Sequence, residues 1–264
     1  MPNPPHARRF GPLEQLALGL VFLTRLPVPI GGAPPDDAVA RAAWSFPLAG
    51  VLVGLVGAVA ATAADGLGLP PFAAALLALA ATMALTGALH EDGLADTADG
   101  LGGGRTRERK LEIMKDSRIG SYGVLALIVG AGLRATALGA LVEHAPLPLF
   151  GALVAAHAGS RALLPLLMRA LPPARPGGLA ASVGVPSAFA SIAAVVLGAV
   201  AVFWGLGDRL GLLGFVAAAL GMATVGALAR RQLGGYTGDV LGAAQQVGEI
   251  ILLLTAVARL PIAF

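Results

Sequence analysis

The chain has no cysteine among its 264 residues. Disulfides, thiolate nucleophiles, iron–sulfur clusters and cysteine-ligated zinc are therefore excluded. Charge is also scarce: Asp, Glu, Lys and Arg make up 12% of the residues, about half the share of an ordinary globular domain. So few charges could not cover the surface of a water-soluble protein of this size. A soluble enzyme, a disordered tail and a collagen-like fibre are all excluded. What the chain has instead is apolar bulk, with 56% hydrophobic residues and a mean hydropathy of +0.80.

The apolar runs are continuous rather than alternating, which excludes a transmembrane barrel. They predict an all-α polytopic membrane protein, one integral membrane domain over residues 1–264, with about seven transmembrane helices. The predicted spans are Trp44–Ala64, Phe72–His90, Ser121–Val142, Leu147–Leu171, Ser187–Gly205, Leu210–Leu228 and Val240–Leu260. The run Leu13–Thr24 is too short to cross and is expected to lie in, or re-enter, the membrane interface. It follows Arg8 and Arg9 but ends at Arg25-Leu26-Pro27 without a small-residue cleavage site, so it does not read as a signal peptide. Glycine is abundant, at 37 residues, and Gly50-x-x-x-Gly54 has the small-residue spacing that lets helices approach closely.

Basic residues set the expected orientation. Arg105, Arg107, Arg109, Lys110, Lys115 and Arg118 crowd the stretch Gly100–Gly120, which should be cytoplasmic. Counting spans outward puts Arg25/Arg41, Arg169/Arg175 and Arg230/Arg231 on that side too. The opposite loops, Asp65–Pro71, Glu143–Pro146 and Gly207–Arg209, hold one basic residue between them. The carboxyl end is then outside and the amino end inside.

The acidic residues are concentrated. Seven of the fifteen lie between Glu91 and Asp116. Asp92, Asp96 and Asp99 stand at i, i+4 and i+7, which puts them on one helix face. Three like charges on one face repel unless a cation neutralises them. Hard oxygen donors suit Mg²⁺ or Mn²⁺, and Mg²⁺ characteristically bridges carboxylates to substrate phosphates. The glycine run Gly100-Leu101-Gly102-Gly103-Gly104 with Arg105 permits close backbone approach to an anion, or makes a flexible turn. Lys115 and Arg118 suit phosphate, and Asp116 between them suits a metal shell. The active-site segment is thus about 90–120.

A second polar segment, about 234–249, opens the last span. Asp239, Gly242, Gln246 and Glu249 lie within about 80° of helix circumference. Glu249 is about three turns in, where an unpaired carboxylate is expensive, so ion pairs with Arg134 or Arg161 are expected. The span count puts Asp239 on the same membrane face as Asp92. His90 is a candidate base and His157 a packing residue. No Ser-His-Asp order, His-Glu-x-x-His pattern, Walker motif or Rossmann fingerprint is present. A carboxylate-held divalent metal beside basic residues fits phosphoryl transfer on an amphiphilic substrate.

The stretch His90–Gly104, with Asp92-Gly93-Leu94-Ala95-Asp96-Thr97-Ala98-Asp99-Gly100, closely resembles the cobalamin synthase, or adenosylcobinamide-GDP ribazoletransferase, family. So do Lys115-Asp116-Ser117-Arg118-Ile119-Gly120, the late Gly234-Gly235-Tyr236-Thr237-Gly238-Asp239, and the amino-terminal Phe22-Leu23-Thr24-Arg25-Leu26-Pro27 and Phe46-Pro47-Leu48-Ala49-Gly50. Glu91 departs from that family's pattern, where Leu is more usual. The resemblance runs over nearly the whole chain. It implies that a hydroxyl of α-ribazole, or of its 5′-phosphate, attacks the cobinamide-linked phosphate of adenosylcobinamide-GDP and that GMP leaves.

Mg²⁺ is the implied cofactor, with Asp92, Asp96 and Asp99 as its ligands and Asp116 and Asp239 as further ligands or base. Arg25, Arg105, Lys115, Ser117, Arg118, Gly102, Gly103 and Thr237 are the implied substrate contacts. The implied location is the bacterial or archaeal cytoplasmic membrane, with the site facing the cytoplasm. Other cobalamin-assembly enzymes and a second copy of the chain are open as partners, and nucleic acid is not expected. Two alternatives stand beside this reading. A CDP-alcohol phosphotransferase is echoed by Asp92-Gly93-x-Ala95, but lacks its Arg at Asp96 and its downstream aspartates. A secondary transporter would claim Glu249 and Arg161 as mid-membrane charges.

Overall fold

Each long apolar run closes its backbone hydrogen bonds within itself as a helix, the only open-chain solution in a hydrocarbon environment. The computed structural model describes residues 10–144 and 146–260, and no strand is present among them. The short helices α1 (Pro12–Leu23) and α2 (Ala38–Ala42) lead through a 3₁₀ turn, Ala43–Ser45, into α3 (Phe46–Gly66). Then come α4 (Pro71–Thr86), α5 (Leu89–Gly103) and the short α6 (Arg107–Ile113). The long helices α7 (Ser121–His144) and α8 (Pro146–Ala170) follow, then a single turn, α9 (Leu179–Ser182). The chain finishes with α10 (Ala188–Leu206), α11 (Asp208–Leu233) and α12 (Gly238–Val257).

Six helices are long and apolar enough to cross a membrane, and α4 with α5 makes a seventh, bent span. The spans therefore fall where the sequence puts them, with one correction. Phe72–His90 is not a straight span. The helix stops at Thr86 and resumes at Leu89 after a bend of 90°. Gly87 (φ 67°) and Ala88 (φ 54°) both take the left-handed conformation there. Sixteen residues of α4 rise only about 24 Å, short of the roughly 30 Å hydrocarbon thickness. α1 is the short apolar helix expected at the amino end.

The central helix is α8, of whose apolar window 83% is buried, against 33% for α11. It packs on α3, α10 and α12. Small residues make those contacts close: a Cβ on Gly54 would lie 2.6 Å from the Leu153 carbonyl oxygen, so the expected Gly50/Gly54 seam is real. The outer faces of α10 and α11 present Ile192, Phe203, Trp204, Leu212 and Leu213. Such a contiguous apolar exterior belongs against lipid.

Candidate active site

The bend after α4 determines where the aspartates go. α5 turns away from α4 and packs against α12 and α7. Its contact with α12 is backbone to backbone. A Cβ on Gly93 would lie 2.7 Å from the Asp239 carbonyl oxygen and 3.1 Å from the Gly242 Cα. This pair of glycines seats the first turns of α5 and α12 against each other. The two polar segments, separated by most of the chain, thereby become one place.

Asp92 is exposed, Asp96 half-buried and Asp99 buried. Asp96 lies within electrostatic range of Asp92, Asp239 and Asp99. Asp239 is held by its own loop: Thr237 accepts the Val240 N–H as the cap of α12 and donates its hydroxyl to Asp239 Oδ2 at 3.1 Å. Thr237 thus orients an aspartate. Among the described residues no salt bridge reaches Asp92, Asp96 or Asp239. Arg175 acts electrostatically on Asp239 and lines a small cleft with Thr237, Gly238 and Asp239. Arg175 also donates to the Leu111 carbonyl at 2.6 Å. In the sequence Arg175 counts only toward topology, and no local motif marks it.

Asp99 is engaged differently from the other two. Its carboxylate accepts the N–H groups of Gly120 at 2.7 Å and Gly123 at 2.8 Å. It caps the start of α7, with the helix dipole favouring its charge. This differs from the expectation that Asp99 completes a ligand set with Asp92 and Asp96. Asp116 also stands apart. Arg118 grips it with a 2.7 Å ion pair and a 3.0 Å backbone hydrogen bond. The hydrogen bonds from Arg118 hold the Asp116 carboxyl down at about 2. Asp99, Asp116, Arg118 and Gly103 line a separate open cleft with Tyr122.

The glycine run is not a loop. α5 continues through Gly103, and the place of a Cβ on Gly102 lies 2.7 Å from the Tyr122 ring. Gly102 therefore lies against Tyr122 of α7, and both Gly102 and Gly103 are exposed. Arg105, Lys115 and Ser117 are exposed too. Arg107 is structural: it donates to the carbonyls of Leu233 at 2.7 Å and Ala174 at 2.8 Å, tying α6 to the end of α11. Arg25 sits at the bend, where its backbone N–H bonds the Leu85 carbonyl at 2.7 Å and its guanidinium fills the place a side chain on Gly87 would take.

Beneath the aspartates lies a second, closed charge set. Glu91, next to Asp92, pairs with Arg134 at 2.8 Å, and Arg134 also meets Glu249 at 3.2 Å. Glu249 further accepts from Gln245 at 2.7 Å and meets His157 at 3.1 Å. Arg161 is 4.0 Å from Glu249 and bonds the His157 carbonyl. The ion pairs expected for Glu249 are therefore present. The mid-membrane charges a transporter reading would claim are matched, two guanidiniums to two carboxylates. His90 is buried against Arg161, with Nδ1 at 3.4 Å.

No three carboxylate or imidazole side chains among the described residues form a ready-made metal centre. The donor chemistry at Asp92, Asp96 and Asp239 still fits Mg²⁺. That ion dehydrates reluctantly and is usually held by one or two carboxylates together with waters and substrate phosphates, not by an all-protein cage.

Comparison with known proteins finds relatives over most of the chain. Residues 15–257 match the profile of the cobalamin-5-phosphate synthase family. The chain is 52% identical to an adenosylcobinamide-GDP ribazoletransferase of Bradyrhizobium diazoefficiens, over 93% of this chain and 94% of that one. It is 48% identical to the Mesorhizobium japonicum enzyme of the same name, covering 92% and 93% of the two chains. A third relative so named, from Azorhizobium caulinodans, is 46% identical over 92% and 94%. No solved structure matches the chain.

Proposed function

Because the chain belongs to the cobalamin-5-phosphate synthase family, we propose that it is a membrane-bound transferase joining adenosylcobinamide-GDP to α-ribazole, or to α-ribazole 5′-phosphate. The products are adenosylcobalamin, or its 5′-phosphate, and GMP. The observation that carries this reading into the structure is the meeting of Asp92 and Asp96 with Asp239 across the Gly93–Gly242 contact. No protein cation forms a salt bridge to these carboxylates among the described residues. Carboxylates so placed are suited to a cationic, phosphate-bearing occupant.

In the reaction an oxygen–phosphorus bond forms between the ribazole hydroxyl and the cobinamide-linked phosphate. The pyrophosphate bridge breaks, and GMP leaves with the bridging oxygen. The hydroxyl proton passes to a carboxylate of the Asp92, Asp96 and Asp239 set. Positioning and charge stabilisation supply most of the catalysis in such transfers. Arg175 faces Asp239, and Arg25, Arg105, Lys115 and Arg118 add positive charge toward the phosphates. Asp99 positions α7 by capping it. Mg²⁺, held by one or two carboxylates of the Asp92, Asp96 and Asp239 set, would neutralise the pyrophosphate and the leaving GMP.

The test is release of GMP by the purified full chain in vesicles supplied with adenosylcobinamide-GDP, α-ribazole and Mg²⁺. Turnover that requires both substrates and is lost on chelation supports the reading; no GMP release refutes it. The basic stretch from Arg105 to Arg118 supports a site at the cytoplasmic face of the cytoplasmic membrane. A reporter fused after Arg107 should read cytoplasmic and one after Glu143 external, and the reverse would overturn this orientation.

A further inference from the structure

A cavity of about 130 Å³ opens beside Asp92 and Asp239. Its walls come from parts of the chain far apart: Phe22 of α1, Phe46 of α3, Leu164 and Met168 of α8, Val183 after α9, and Tyr236 before α12. Phe22 and Phe46 are stacked, with ring centroids 5.8 Å apart and planes 13° from parallel. Tyr236 is 1% exposed and donates its hydroxyl to the carbonyl of Ala180, which also lines the cavity, at 3.3 Å. Most of the wall is therefore apolar; the buried His90 also lines it, and the carboxylates stand at one edge.

We propose that this cavity is the subsite for the flat aromatic base of the nucleoside acceptor. The proposal rests on the reaction assigned above and names where one substrate sits. Three arguments carry it.

The first is size. A cavity of about 150 Å³ lined by apolar side chains holds a benzene ring. A space of this class admits no more than one small ring system, with the rest of the base and the sugar at the mouth, and excludes a corrin macrocycle.

The second is polarity. A benzimidazole joined to ribose through nitrogen has no N–H donor and one ring-nitrogen acceptor. Buried among Phe22, Phe46, Leu164 and Met168 it leaves almost nothing unsatisfied. Guanine, the other base in the reaction, carries amide and amino donors and a carbonyl acceptor. Burying those without partners costs about 1–3 kcal/mol per group, so the guanosine half belongs outside this cavity.

The third is connectivity. In the acceptor a single ribose separates the base from the attacking hydroxyl. In the protein the cavity and the Asp92/Asp239 edge are contiguous. A base seated in the cavity delivers its hydroxyl to the carboxylates, which is the orientation that turns binding into rate. This also gives α1 a part in the chemistry: it carries one wall of the subsite.

The test uses the full chain in vesicles and measures GMP release while each substrate is varied in turn. In hydrophobic pockets one methylene more or less changes selectivity by about 10–200-fold. Val183→Phe, which fills the cavity, should raise KM for α-ribazole about tenfold or more and leave KM for adenosylcobinamide-GDP within about twofold. Val183→Ala, which enlarges it, should raise kcat/KM for a nucleoside with a bulkier tricyclic base relative to α-ribazole by about tenfold. That shift in selectivity cannot come from a folding defect, so it keeps the test decisive if the Phe variant fails to insert.

An unchanged base selectivity in Val183→Ala, or a Val183→Phe variant whose KM rises for adenosylcobinamide-GDP instead, overturns the subsite and leaves the proposed reaction standing. So does turnover that follows the acyl length of the vesicle lipid while base selectivity stays fixed, which would assign the cavity to a lipid tail. A wild-type chain that releases no GMP removes the reaction and the subsite together.

Discussion

Glu91 and Asp92 are neighbours on α5, yet they belong to two different electrostatic regions. Glu91 turns inward to Arg134 and joins Glu249, Arg161 and His157 in a buried set whose charges are met within the protein. Asp92 turns outward beside Asp96 and Asp239, where among the described residues no salt bridge is made. The lesson is that pairing separates structural from functional carboxylates better than burial does. A matched charge in the bilayer fixes helix packing. On the reaction proposed above, an unmatched one at the edge of a cavity serves a ligand that brings its own cation and phosphate.

The sharpest way to break this contrast is to neutralise one member of each set. Asp96→Asn should lower GMP release by about 10²–10³-fold or more, with unchanged insertion and thermal stability. Asp92→Asn and Asp239→Asn should follow it. Full turnover by two of the three would end the assignment. Glu249→Gln should act the other way round. It leaves Arg134 and Arg161 in excess, and breaking a buried pair costs about 3–5 kcal/mol. Detergent-solubilised protein should lose thermal stability and yield before the folded fraction loses turnover. A stable Glu249→Gln protein without activity would move Glu249 into the catalytic set.

Asp116 should give the smallest effect. It is exposed and paired with Arg118, and exposed pairs contribute little to stability. Asp116→Asn should melt like the parent chain. A change in KM for adenosylcobinamide-GDP confined to Asp116→Asn and Arg118→Ala would assign that pair to the guanosine end of the substrate.

How much of this was legible in the sequence follows from how local each feature is. The spans were readable because an α-helix in lipid needs only a long apolar run, and their limits agree to within a few residues except at α11, which runs on to Leu233. The bend at Gly87–Ala88 was hidden because alanine gives no sign of a left-handed backbone. Glycine's low helix propensity made Gly100–Gly103 read as a loop, but packing against Met114 and Tyr122 carries the helix through it. The in-register aspartates were readable from the helical period. That Asp99 caps α7 was not, because its donors lie 21 and 24 residues away. Arg175 and the cavity walls were hidden for the same reason: they are assembled from distant helices with no motif between them.

The central claim is that the 90–120 and 234–249 segments make one site. The measurement that tests it most directly is a double-mutant cycle between Asp96 and Asp239, with GMP release followed at excess Mg²⁺ or Mn²⁺ so that each single mutant keeps a measurable rate. Residues that share one phosphate or one metal are strongly non-additive. Asp96→Ala/Asp239→Ala should therefore be scarcely slower than the slower single mutant. Losses that multiply cleanly would contradict the account and return Asp239 to packing the last helix.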